Sequence, residues 1–237
     1  MDPAPAAPHA TSGRAAAGDP AGVRMTAYGD FTCPWSYLSW QRSEVLREHG
    51  LEVDWRTVEH DPWHHLAPES LVERHRTTHA ALAQVQKHLL PGEHLPHPFV
   101  GIVPFTGAAT AAYAEAVVAG VAPEARRILF QAFWHEGADL NNARVVRDLL
   151  AGLLRGRPSR SELVHRWGYA VDVTGGSLTS EAWRLVRDWR SEWKGFGQDV
   201  VPALSIDGGP WVHGEGVVDQ LREELTARGL EAGASAA

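Results

Sequence analysis

Asp30-Phe31-Thr32-Cys33-Pro34-Trp35-Ser36-Tyr37-Leu38 is the stretch on which the fold turns. It follows a run of strand character, Val23 to Phe31, and opens a helical stretch that reaches about His49. Thr32 is placed to act as N-cap. Pro34 suits the first helical turn, where its missing N–H would have no partner anyway. Leu38, Val45 and Leu46 recur on one helical face, and Gly50 is a natural stop. From Leu51 to Val58, Leu51, Val53 and Trp55 alternate with polar residues, which predicts a second strand. Strand, helix and strand at this spacing open a βαβ unit.

Cys33 therefore stands where a strand feeds a helix N-terminus. The free N–H groups and the helix dipole favour negative charge there. The expectation is a thiol of lowered pKa, below about 8.5, that reacts as thiolate. Cys33 is the one cysteine of the chain, so an intramolecular disulfide and a cysteine-rich zinc site are both excluded. Away from such a position, a lone cysteine is most simply a small buried hydrophobe. Ser36 follows one turn later, and its hydroxyl can donate a hydrogen bond to the sulfur. It cannot attack a mixed disulfide.

Composition narrows the remaining classes. The 237 residues are 44% hydrophobic, enough to bury a sizeable core. The formal net charge is -7 with both signs interspersed, which argues against nucleic acid as partner. No apolar run approaches the roughly 20 residues that span a bilayer, so no membrane partner is expected. Residues 1–22 are rich in Ala, Pro and Gly and are predicted to be a disordered tail. They lack the apolar core of a secretory signal, which points to the cytoplasm.

The middle of the chain reads as helical. A polar, helix-compatible stretch runs from about Ala67 to Leu90, followed by a proline-punctuated loop to Pro104. Helices are predicted from Gly107 to Gly120, from Pro123 onward, over Leu140 to Leu154, and from Ser159 to about Ala170. Further on, Ala182, Leu185, Val186, Trp189 and Trp193 share a helical face, and Gly195 to Gly197 end it. Ala203 to Ile206, the turn Asp207-Gly208-Gly209, and Trp211 to His213 read as a hairpin. Val217, Val218, Leu221 and Leu225 form the stripe of a last helix, after which Ala232 to Ala237 look frayed.

His60, His64, His65, His75, His88, His94 and His97 are unusually dense. None forms a recognisable metal motif, so no metal is expected and the tract is read as a solvated helical cap. The tryptophans are read as core or cap packing, except Trp35, whose place in the motif puts it near the thiol.

The segment from Asp30 to Leu38 resembles the active-site segment of the DsbA family, in its FrnE-like subgroup, which carries Cys-Pro-Trp-Cys followed by Tyr-Leu. Val53-Asp54-Trp55-Arg56 resembles the strand after the family's first helix. Ala108 to Asp139 is similar to its helical insertion, and Val201-Pro202-Ala203-Leu204 with Asp207-Gly208 to its proline loop and strand pair. The resemblance implies an α/β thioredoxin-like fold with an inserted α-helical domain. The thioredoxin-like part would comprise residues 23–62 and 176–230, and the insertion residues 63–175. It further implies that Pro202 is cis and beside Cys33, and that Val201 offers its backbone to a bound peptide. Cys33 and Ser36 would then be the catalytic pair, with Pro34, Trp35, Val201 and Pro202 shaping the substrate groove.

Ser36 departs from the family pattern, because a cysteine there would resolve the mixed disulfide. Three explanations stay open. The chain is a natural monothiol enzyme, it binds without oxidising, or the serine was introduced to trap a complex. The related 2-hydroxychromene-2-carboxylate isomerases and kappa-class glutathione transferases place Ser where Cys33 stands and use it to activate the glutathione thiol. The expected activity is thus thiol-disulfide oxidoreduction through mixed disulfides. Its alternatives are a thiol-dependent isomerase or transferase on a small aromatic substrate, and a non-catalytic binding module. No cofactor is expected beyond a low-molecular-weight thiol as co-substrate. The partner would be a thiol or disulfide, peptide or small molecule, and a homodimer is left open.

Overall fold

The computed structural model describes residues 24–60, 68–96, 105–197 and 199–231. The segments read above as an N-terminal tail and a frayed C-terminus lie outside the described residues, as do His64, His65 and His97.

Strand β1 (Arg24–Gly29) leads into helix α1 (Pro34–Glu48), which crosses to β2 (Glu52–Thr57). Six helices follow: α2 (Pro68–Val85), continued by a 3-10 turn over Gln86–His88, then α3 (Gly107–Val118), α4 (Ala122–Glu136), α5 (Ala143–Leu154), α6 (Glu162–Trp167) and α7 (Ser180–Gly195). The chain closes with β3 (Ala203–Ile206), β4 (Val212–His213) and α8 (Glu215–Ala227). The sheet order is β2-β1-β3-β4. The pair β1–β2 is parallel, with Ala27 opposite Trp55. The pair β1–β3 is antiparallel, with Tyr28 opposite Ala203, and β3–β4 forms the predicted antiparallel hairpin. This is the mixed α/β, thioredoxin-like architecture that the resemblance implies.

Local chemistry sets the helix ends. The first residue of α1 is Pro34, and Cys33 itself is the N-cap, in extended conformation. The expected cap, Thr32, instead donates its hydroxyl to the Asp30 carboxylate at 3.0 Å. Asn142 caps α5 by accepting from the Arg144 N–H, and Thr179 caps α7 by accepting from the Ala182 N–H. Helix α4 stops at Gly137, whose φ of 65° suits a residue without Cβ.

The helices between β2 and α7 share one hydrophobic core with the sheet. Phe130 of α4 stacks on Trp40 of α1 at 4.8 Å between centroids. It also meets Phe31 edge-on at 5.0 Å and Trp55 of β2 at 5.9 Å. The Trp134 indole N–H donates to the Phe31 carbonyl at 2.9 Å, so α4 grips the loop that precedes Cys33. Buried charges are paired. Arg126 of α4 bridges to Glu44 of α1, and its guanidinium lies 5.3 Å from the Trp55 ring. Glu115 of α3 accepts from the N–H groups of Leu178 and Thr179 and from the Thr179 hydroxyl. Burial raises its pKa against the pull of those bonds.

Phe130→Ala should cost about 3–5 kcal/mol, the range for deleting a buried aromatic ring. Because both layers meet at this ring, denaturant unfolding followed by far-UV and near-UV signals should show one shifted transition. Separate transitions for the two signals would mean that the layers are independent.

Candidate functional site

The pairing of β1 with β3 brings the ends of the chain's α/β portion together. The Cys33 N–H closes a turn onto the Asp30 carbonyl at 3.1 Å. Its S–H donates to the Val201 carbonyl at 3.6 Å. The Val201–Pro202 peptide bond is cis, as the resemblance implies. The sulfur-bearing residue is only 8% exposed. Ser36 is fully buried one turn into α1, where its Oγ accepts from the Asp30 N–H at 3.2 Å. That leaves the hydroxyl proton to point elsewhere. Gly29 makes room for this arrangement. A Cβ there would stand 2.4 Å from the Trp55 ring and 3.2 Å from the Ser36 Oγ.

The acidity expected from the helix N-terminus is not found. Burial pushes the Cys33 thiol up to about 11. Hydrogen bonds from the Ser36 backbone and side chain, and from the Trp35 backbone, pull it down, while the Asp30 charge pushes it further up. Desolvation of the charged form outweighs the helix terminus. At neutral pH the resting group is therefore a neutral thiol.

Sequence reasoning missed the groups that frame this thiol. Asp30 is 1% exposed, and its carboxylate accepts from the Thr32 N–H and hydroxyl and from the His60 N–H. Its second oxygen also lies 2.8 Å from His60 Nδ1. Trp35 is half-buried and meets the His88 ring edge-on at 5.2 Å. His94 faces His135 at 6.0 Å, and His135 Nε2 lies 3.0 Å from the Tyr37 hydroxyl. Burial, and then His94, lower the pKa of His135. His60 and His88 are thus half-buried against residues at the start of α1, whereas His94 is exposed. The wall beside Trp35 is fixed by Arg42, whose fully buried guanidinium holds the Glu93 carboxylate with two bonds of 2.8 Å. The same guanidinium also donates to the carbonyls of His88 and Val218, each at 2.7 Å.

Among the described residues, His88, Glu215 and Asp219 form one group whose donor atoms could hold a metal ion. Here His88 Nε2 lies 3.1 Å from Glu215 and Nδ1 lies 3.6 Å from Asp219.

A parallel strand-helix-strand unit with cysteine as N-cap, completed by a cis-proline strand pair, defines a thioredoxin-like domain. The model of the DSBA-like thioredoxin domain matches residues 24–153, more than half of the chain, and the chain belongs to that family. Among solved structures, it is similar to the cytosolic disulfide reductase DsbM from Pseudomonas aeruginosa. The identity is 18%, covering 86% of this chain and 98% of that one, with a TM-score of 0.58. The same reductase solved with GSH gives a TM-score of 0.57 at 18% identity, with coverage of 86% and 98%. A 2-hydroxychromene-2-carboxylate isomerase gives 0.55 at 18% identity, covering 87% of this chain and 94% of that one. No curated protein matches the chain by sequence. Among the described residues, no helix is long and apolar enough to cross a membrane.

With the pKa of Cys33 raised to about 11, its iodoacetamide alkylation rate should still be rising between pH 8 and pH 10. Ser36→Ala removes a hydrogen bond that lowers this pKa, so it should slow alkylation at every pH in that window. A rate that levels off near pH 8 would show that the sulfur is more solvated than the structure places it.

Proposed function

We propose that Cys33 is a monothiol nucleophile that exchanges disulfides through a mixed disulfide, with a low-molecular-weight thiol completing the cycle. The observation that carries this reading is the bond from the Cys33 S–H to the Val201 carbonyl beside cis-Pro202. A carbonyl acceptor favours the neutral thiol. An extended substrate that docks on Val201 can offer its own N–H to that carbonyl and so free the sulfur. In the first step the Cys33 sulfur attacks one sulfur of the substrate disulfide. A Cys33–substrate disulfide forms, the substrate S–S bond breaks, and the thiol proton leaves with the departing thiol. In the second step a small thiol attacks the substrate sulfur, expels Cys33 and regenerates its S–H.

Each motif residue has a part in this scheme. The Ser36 bonds support the sulfur as it gains negative charge, Pro34 fixes the first turn of α1, and Trp35 walls the groove that Val201 and Pro202 line. A single cysteine with Ser36 at the resolving position stores no electron pair within the chain, so the small thiol is a stoichiometric reactant. DsbM, a relative in fold, has been solved with GSH, and a reducing compartment such as the cytoplasm supplies such a thiol in excess.

A second reading draws on the raised pKa. A neutral S–H at the N-cap can donate a hydrogen bond as a serine hydroxyl does, and so stabilise the thiolate of a bound small thiol in an isomerase or transferase reaction. One variant separates the two. Cys33→Ser should abolish reduction of a glutathionylated peptide by added glutathione, whereas a donor role would survive the change. Retained peptide reduction in Cys33→Ser would overturn the nucleophile assignment.

Ser36→Cys should install a dithiol and raise insulin reduction by dithiothreitol about tenfold or more over the parent, because release of the mixed disulfide becomes intramolecular. Equal rates would show that position 36 does not reach the sulfur.

A further inference from the structure

Helix α8 and the 3-10 turn after α2 bring three side chains with metal-binding atoms to one spot. Glu215 opens α8 and Asp219 stands one turn later, so both carboxylates share a face of the helix. His88 ends the 3-10 turn and sets its ring against that face. One donor atom from each residue lies within 4.8 Å of the other two. Nε2 of His88 is 3.1 Å from Glu215, and the 3.6 Å between Nδ1 and Asp219 is too long for a hydrogen bond.

We propose that His88, Glu215 and Asp219 form a binding site for a divalent transition-metal ion, zinc above all. One imidazole nitrogen and two carboxylate oxygens make a mixed donor set that suits zinc, whereas magnesium and calcium prefer oxygen alone. Zinc bonds of about 2.0–2.2 Å hold tetrahedral donors roughly 3.4 Å apart, so a shift of about 1 Å in the carboxylates closes the set. Glu215 is exposed, and its side chain can make that shift. The backbone beneath the site is already fixed. The buried Arg42 guanidinium donates to the carbonyl of His88 itself and to that of Val218, the residue before Asp219, each at 2.7 Å. One side chain of α1 thus holds both ligand-bearing segments in place, the rigid support that a metal site needs. The Trp35 ring steadies the His88 ring edge-on at 5.2 Å. Arg222 reaches Asp219 at 3.0 Å, an outer partner of the kind that orients a ligating carboxylate. Three protein ligands leave a fourth position to water or a small-molecule donor. The ion would clip the segment after α2 to α8. The histidine tract shows no metal motif in sequence because its acidic partners lie far along the chain. Acids in the first turn of a helix also serve its dipole, but that role does not call for His88 between them. The competing arrangement is a protonated His88 held by two acids, and metal titration separates the two.

The test is calorimetric titration of the full chain with zinc and with magnesium, together with the visible spectrum of the cobalt(II)-loaded chain. Zinc should saturate a site that magnesium does not fill. Cobalt(II) should give visible bands without the thiolate charge-transfer band that ligation by Cys33 would add. The double variant E215Q/D219N should lose that site, and His88→Ala should weaken zinc roughly tenfold or more, at least the loss seen when only an outer partner is removed. Zinc should raise the Tm of the parent and leave that of E215Q/D219N unchanged. Both carboxylates lie at the surface, and an unchanged metal-free Tm will confirm that the double variant folds. Cys33→Ala should bind zinc like the parent, whatever becomes of the thiol chemistry. The proposal is overturned by any of four results: no saturable zinc binding, equal binding of magnesium, the site retained in full in E215Q/D219N, or its loss in Cys33→Ala.

Discussion

A hydrogen bond from a thiol to a carbonyl 168 residues away holds the site together. It forms only because β1 is the inner strand paired to both β2 and β3, so that the loop after β1 and the residues before β3 meet at one end of the sheet. Burial decides the character of the sulfur. A buried thiol that already has an acceptor has little reason to ionise, and desolvation exceeds what one helix terminus supplies. In the exchange proposed for Cys33, reactivity would follow whatever displaces that acceptor.

The surrounding packing keeps that geometry from relaxing. The helices between β2 and α7 do not form a body with its own core, because Phe130 and Trp134 of α4 reach the residues on either side of the thiol loop. On the other flank the guanidinium of Arg42 ties α1 to α8, to His88 and to Glu93 with four bonds. A buried charge with this many partners is costly to disturb, since removing one side leaves the other unpaired.

Much of the fold could be read from local pattern. The alternation over Leu51 to Val58, the stripe Val217, Val218, Leu221 and Leu225, and the Asp207-Gly208 turn each specify an element through neighbours in sequence, and each is present. The Cys33 motif likewise located the helix start to within a residue, though the cap fell on Cys33 instead of Thr32. The electrostatics of the site could not be read this way. The thiol's acidity depends on how completely distant segments bury it, and the partners of Asp30 and Arg42 lie up to 30 and 176 residues off. A signal was present for both: an acid at the end of a buried strand, and an arginine between Leu38 and Leu46 on an otherwise apolar helix face. Charged residues in such places need partners. The histidine tract misled because density in sequence was taken for a shared surface, whereas His60 and His88 turn to different partners near α1.

Asp30 carries a consequence for the charge that this end of the sheet can bear. Its carboxylate is saturated by donors from Thr32 and His60 within a nearly sealed pocket. Its charge opposes a second one on Cys33. An acidic side chain introduced beside Cys33 would therefore push the thiol further up, and a basic one would bring it down.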